Sequence, residues 1–132
     1  MKRIRTIPAL LLARMELVKT VRFRQPKYIG DPINAVKIFN DKRVDELVVL
    51  DIEAGRRGAV DFERIEDIVS EAFMPVAYGG GIKTIQQCAE LFKRGVEKVV
   101  LNTSVFTNPK LIREAADRFG SQSIGLVDAV SA

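Results

Sequence analysis

Short apolar runs alternate with stretches of helical period along this chain, and no other feature constrains its fold as much. Leu47-Val48-Val49-Leu50 is apolar on both faces. A strand of that kind belongs in a parallel sheet whose two sides are both covered. The spacing predicts strands over Ile4–Leu12, Glu46–Ile52, Pro75–Tyr78, Lys98–Leu101 and Ser123–Asp128. Between them, Asp61–Ala72 places Phe62, Ile65, Ile68, Val69 and Ala72 on one helical face, and Thr84–Arg94 does the same with Ile85, Cys88, Ala89, Leu91 and Phe92. Two further helices begin at Asp31-Pro32 and Asn108-Pro109, each a capping side chain followed by a proline suited to the first turn. Thr84 with Gln87 fits a capping box, and Gly95 and Gly120 suit helix C-termini. Ala13–Gly30 is read as the longest irregular stretch, and a loop of that length is often functional.

The order β-α-β-α-β-α-β-α-β demands a parallel sheet with right-handed crossovers. A doubly wound sheet of this size would stand alone. A (β/α)8 barrel needs about 250 residues, so 132 residues supply half of one, four βα units and a fifth strand. One domain over 1–132 is expected.

Composition removes whole classes of chemistry. The chain has no histidine, which excludes Ser-His-Asp and Cys-His catalysis and histidine metal sites. Catalysis would have to rest on carboxylates, lysines, tyrosine or backbone dipoles. The single Cys88 forms no internal disulfide, which fits a reducing cytoplasm. No run approaches the roughly 18 apolar residues of a membrane helix, and Met1-Lys2-Arg3 leads into no signal-peptide core. The +4 charge gathers early, in Lys2, Arg3, Arg5, Arg14, Lys19, Arg22, Arg24 and Lys27. That segment suits a phosphorylated small molecule. The mixed charge elsewhere argues against nucleic acid.

In either architecture ligands bind where strands end and helices begin. Gly79-Gly80-Gly81 after the third strand lets backbone amides approach an anion, or simply makes a tight turn. Asn102-Thr103-Ser104 after the fourth strand suits a phosphate, or caps a turn. Asp51 and Asp128 end the second and fifth strands, as acid–base carboxylates or as loop caps. At the opposite strand ends stand Arg5, Glu46 and Lys98, a charged set that is costly in a barrel floor unless its members pair, or else ordinary strand-end solvation, which spacing alone favours.

Taken in order, several motifs form a specific combination. They are Ile7-Pro8-Ala9-Leu10, Gly30-Asp31-Pro32, Asp45-Glu46-Leu47, Leu50-Asp51-Ile52, Gly79-Gly80-Gly81-Ile82, Gly95-Val96-Glu97-Lys98-Val99, Asn102-Thr103-Ser104 and Phe119-Gly120-Ser121-Gln122. They resemble the cyclase subunit of imidazole glycerol phosphate synthase, over nearly the whole chain. That family is a (β/α)8 barrel paired with a glutaminase, whose ammonia enters the barrel floor through charged residues and meets a substrate carrying two phosphates. The resemblance implies an ammonia gate of Arg5, Glu46 and Lys98, and a phosphate site of Gly80, Gly81, Asn102 and Thr103. It matches Lys19 to a basic residue of the family's mobile first loop, and Asp128 to a catalytic aspartate. No cofactor and no metal are expected.

Two departures stand out. The family's other catalytic aspartate follows Ile-Pro-Cys-Leu, where this chain has Leu11 after Ile7-Pro8-Ala9-Leu10. Leucine moves no proton, and Asp51 is the only nearby carboxylate to stand in. The chain also stops after the fifth strand, so the expectation is either a fragment or two copies closing a barrel. Val18-Lys19-Thr20-Val21, Tyr28-Ile29-Gly30-Asp31-Pro32 and Phe73-Met74-Pro75-Val76-Ala77-Tyr78 look closer to a paralogous branch from surface-polysaccharide clusters. Those paralogues deliver ammonia to a sugar amidotransferase. The alternatives are the histidine-pathway cyclase and an inactive half-barrel that homodimerises and binds phosphate.

Overall fold

The computed structural model describes residues 5–13, 16–21, 25–54, 60–102 and 109–127. Its strands are β1 (Ala9–Ala13), β2 (Glu16–Val21), β3 (Gln25–Gly30), β4 (Leu47–Asp51), β5 (Val76–Gly79), β6 (Lys98–Asn102) and β7 (Ile124–Val127). Its helices are α1 (Pro32–Asp41), α2 (Phe62–Glu71), α3 (Ile85–Lys93) and α4 (Pro109–Phe119). The sheet order is β3-β2-β1-β4-β5-β6-β7. All pairs from β1 to β7 through β4, β5 and β6 are parallel. Those five strands follow one another in space as in sequence, without the reversal that defines a doubly wound sheet. The fold is a partial (β/α) barrel.

The local signals behave as their chemistry demands. Asp31 accepts from the Ile33 amide at 2.9 Å, with Pro32 in the first helical position. Asp61 accepts from the Arg64 amide at 3.1 Å. Thr84 and Gln87 form the full capping box, each side chain 3.1 Å from the other's amide. At the end of α3 the Val96 amide reaches Leu91 O and the Gly95 amide reaches Phe92 O, both at 3.1 Å. These are the paired bonds of a Schellman motif, which needs the positive φ of +107° that Gly95 adopts.

Alternation along the strands sorts the two sheet faces. Leu10, Leu12, Leu47, Val49, Val76, Tyr78, Val99 and Leu101 are buried against Val36, Ile65, Ile68, Cys88, Leu91 and Ala115 of the four helices. The intervening Leu11, Val48, Leu50, Ala77 and Val100 are only half-buried. One sheet face therefore carries the core.

Two sequence expectations are corrected. Ala13–Gly30 is not an irregular loop, because it contains the antiparallel hairpin of β2 and β3, docked on β1 through Leu12–Leu17 and Ala13–Glu16. Alternation in Glu16-Leu17-Val18-Lys19-Thr20-Val21 and its β-branched residues supply the strand signal, which the density of charge obscured. The first strand begins at Ala9, not at Ile4. Pro8 has no N–H to give to a ladder, and residues 6–8 bond to their neighbour mainly through carbonyls.

Candidate functional site

Three of the residues singled out in the sequence meet at the C-terminal ends of the parallel strands. Asp51 closes β4 and is 4% exposed. Its Oδ1 accepts from the Glu53 and Ala54 amides, both at 3.0 Å. These are the bonds of a loop cap. Gly80 and Gly81 follow β5 and lie directly against that turn. A Cβ on Gly80 would stand 2.6 Å from Asp51 O, and one on Gly81 would stand 2.8 Å from Ala54 Cβ. Both adopt positive φ, +134° and +69°. Two independent demands, close approach and backbone conformation, thus require glycine here. The buried Tyr78 hydroxyl donates to Gly80 O at 3.1 Å and braces the turn from beneath.

Asn102 ends β6, next to β5 and in register with Val127. Its backbone therefore shares this edge with Gly80 and Gly81. Thr103 and Asp128 lie outside the described residues. Lys19 falls in β2, with Lys27 as its register partner across the hairpin. Leu11 faces away from the helices, opposite Leu50 in register, while Asp51 stands in register with the buried Leu12. Asp51, the carboxylate expected to stand in at Leu11, thus belongs to the helix-facing set and is engaged with its own turn.

At the other ends of the strands, Arg5 Nη2 lies 3.1 Å from Glu46 Oε2. A cavity of about 270 Å³ opens beside this pair, lined by Ile7, Glu46, Val48, Ala77, Lys98 and Val100 among others. Lys98 crosses Gly125, where its Cε would be 3.3 Å from an added Cβ. All three residues of the expected charged set are therefore at one end of the sheet, and two of them pair.

Several residues at that end carried no role in the sequence reading. Phe73 is 87% exposed. Asn40 holds its turn from both sides, donating to Glu71 O at 2.8 Å and accepting from the Phe73 amide at 2.9 Å. A groove of about 600 Å³ runs between Asn40, Arg43, Asp45, Phe73 and Pro75. Pro75 also borders the charged cavity. An exposed aromatic beside a groove, on a fixed backbone, offers apolar area that a partner protein can bury. A bulky aromatic in the short connection Ala72-Phe73-Met74-Pro75 between α2 and β5 was the available sequence signal. Among the described residues no cluster of acidic, cysteine or histidine side chains could hold a metal ion. No helix there is long and apolar enough to cross a membrane.

Comparison with known proteins gives the chain's family. The chain is 53% identical over 130 residues to a Pseudomonas aeruginosa protein named for imidazole glycerol phosphate synthase subunit hisF2, covering 97% of this chain and 52% of that one. It is 55% identical over 125 residues to a Vibrio vulnificus protein named for subunit hisF3, covering 94% and 48%. It is 41% identical over 121 residues to the imidazole glycerol phosphate synthase subunit HisF of an Exiguobacterium species, covering 91% and 48%. The chain spans about half the length of the curated relatives it matches. Residues 5–131 match the histidine biosynthesis protein family, and on that match the chain belongs to that family.

Proposed function

We propose that this chain serves a HisF-like cyclase subunit, as the barrel part that receives glutamine-derived ammonia from a glutaminase partner. The observation that carries the reading is the Arg5–Glu46 pair beside the Lys98-lined cavity, at the strand ends opposite the glycine turn. Ammonia enters at that charged floor, and a phosphorylated small-molecule substrate sits at Gly80, Gly81, Asn102 and Thr103. The glutaminase docks over Phe73 and Pro75, so that its product is released next to the cavity. Residues 1–132 act as one half-barrel domain in the cytoplasm.

The paralogue branch serving sugar amidation in surface-polysaccharide synthesis accounts best for Leu11. A conduit tolerates leucine there, whereas a cyclase that moves a proton at that place does not. Asp128 has its matched catalytic role in the histidine-pathway reading, and Asp51 shapes the turn that carries the glycines. A second reading, an inactive half-barrel that homodimerises, draws support from the half-buried Leu11, Val48, Leu50 and Val100 and from Leu126 at 55% exposure.

The deciding experiment measures glutamate release by a glutaminase subunit of the family, with and without this chain. Stimulation is expected with the wild type and is reduced in Glu46→Gln and Lys98→Met. Phe73→Ser weakens association about tenfold, as loss of a docking anchor does. Unchanged stimulation in both charge variants overturns the gate. Absence of any association overturns the partner.

A further inference from the structure

The Arg5–Glu46 pair is exposed, its side chains 61% and 37% accessible. An ion pair in that setting is screened by water and does not hold two long side chains in one geometry by itself. The backbone beneath it is held much more firmly. Thr6 O accepts from the Asp45 amide at 2.9 Å and from the Glu46 amide at 3.4 Å. In return the Thr6 amide donates to Asp45 Oδ2 at 2.7 Å. The knot therefore closes in both directions across 39 residues of sequence. Arg5 is one residue from it on one side, and Glu46 belongs to it through its own amide on the other.

The side-chain bond is the unusual member of this knot. Val48 already donates to Pro8 O at 3.0 Å, as an ordinary continuation of the parallel ladder. Beyond that point Pro8 supplies no donor and the ladder thins. A carboxylate accepting at 2.7 Å is a charge-assisted bond, stronger than a neutral one. It holds the segment before β1 where the main-chain pairing runs out. Asp45 also borders the groove shared with Phe73, Arg43 and Asn40. One carboxylate thus lies between the groove and the paired charges.

We propose that Asp45 is the positioning residue of the Arg5–Glu46 pair, gripping the Thr6 amide so that Arg5 is presented to Glu46 at the cavity mouth. This rests on the reading of that pair as part of an ammonia entrance. Asp45 touches no substrate; it acts through the backbone of Thr6.

Nuclear magnetic resonance on the labelled chain tests this with two readouts, the Arg5 Nε–Hε signal and exchange of the Thr6 amide. In the wild type the Arg5 signal stands apart from those of freely solvated arginines. In Asp45→Ala it moves to their averaged position, and Thr6 exchange rises about tenfold, the cost of one lost hydrogen bond. Asp45→Asn, which keeps an acceptor without the charge, falls between the two in both readouts. Glu46→Gln moves the Arg5 signal and leaves Thr6 exchange as it was. An unmoved Arg5 signal in folded Asp45→Ala overturns the proposal, even if the variant is less stable. Should the alanine variant not fold, Asp45→Asn decides, and wild-type behaviour in both readouts overturns it. These outcomes are separate from glutaminase stimulation. Loss of the gate reading leaves the Asp45–Arg5 result standing, and an unmoved Arg5 leaves the gate reading untouched.

Discussion

Cys88 is fully buried in α3, beneath the sheet. Burial pushes its thiol up from 9.0 to about 11, because a thiolate would lose its hydration there. The native state therefore favours the protonated form more than the unfolded chain does. The stabilisation this brings is complete below pH 9.0 and is lost as pH rises towards about 11. Denaturant unfolding of wild type and Cys88→Ala at stepped pH measures it. Their difference should shrink by on the order of 2 kcal/mol across that window. A difference that stays flat with pH refutes the assignment. The same burial makes Cys88 slow towards thiol reagents until the protein unfolds. Its burial was legible from its place on the apolar face of a helical repeat. The engagement of Asp51 was not, since its end-of-strand position fits a site carboxylate and a loop cap equally well.

Helices were the most legible elements, because their caps are made of residues only a few positions apart. Thr84→Ala removes the oxygen that accepts from the Gln87 amide and should cost about 1 kcal/mol. Thr84→Ser, which keeps that oxygen, should cost a few tenths at most. Urea midpoints at constant slope read both, and equal losses would show that the capping bond contributes nothing. Strand ends were less legible. The beginning of β1 depends on where its neighbour's ladder thins. The hairpin of β2 and β3 gains much of its definition from docking on β1. Its own sequence, with lysines in register at Lys19 and Lys27, has charges that suggest a solvated loop.

Among the described residues, the five parallel strands have one face packed by α1 to α4 and one face half-buried. Leu126 at 55% exposure and the half-buried Leu11, Val48, Leu50 and Val100 form apolar surface that water penalises. If two copies close a barrel, native mass at micromolar concentration should show a discrete dimer, and Leu126→Glu should shift it to monomer. A monomeric wild type overturns the dimer. The half-buried face is then left to be covered by other protein.

The sequence by itself determined the helices with their caps and the order of the five parallel strands, but not the β2–β3 hairpin. Hydrophobic period and capping chemistry act within a turn or two of chain, so they can be read without knowing what lies alongside. It also singled out the two ends where chemistry concentrates, through the glycine triplet and the scattered Arg5, Glu46 and Lys98. Only the tertiary structure decided what those residues touch. Gly80 must be glycine because β4 brings Asp51 O within 2.6 Å of where its Cβ would be. Arg5 meets Glu46 because the Asp45 carboxylate reaches Thr6 across 39 residues. Such contacts arise from strand order and register, which place distant residues side by side, and no local pattern encodes the distance between them.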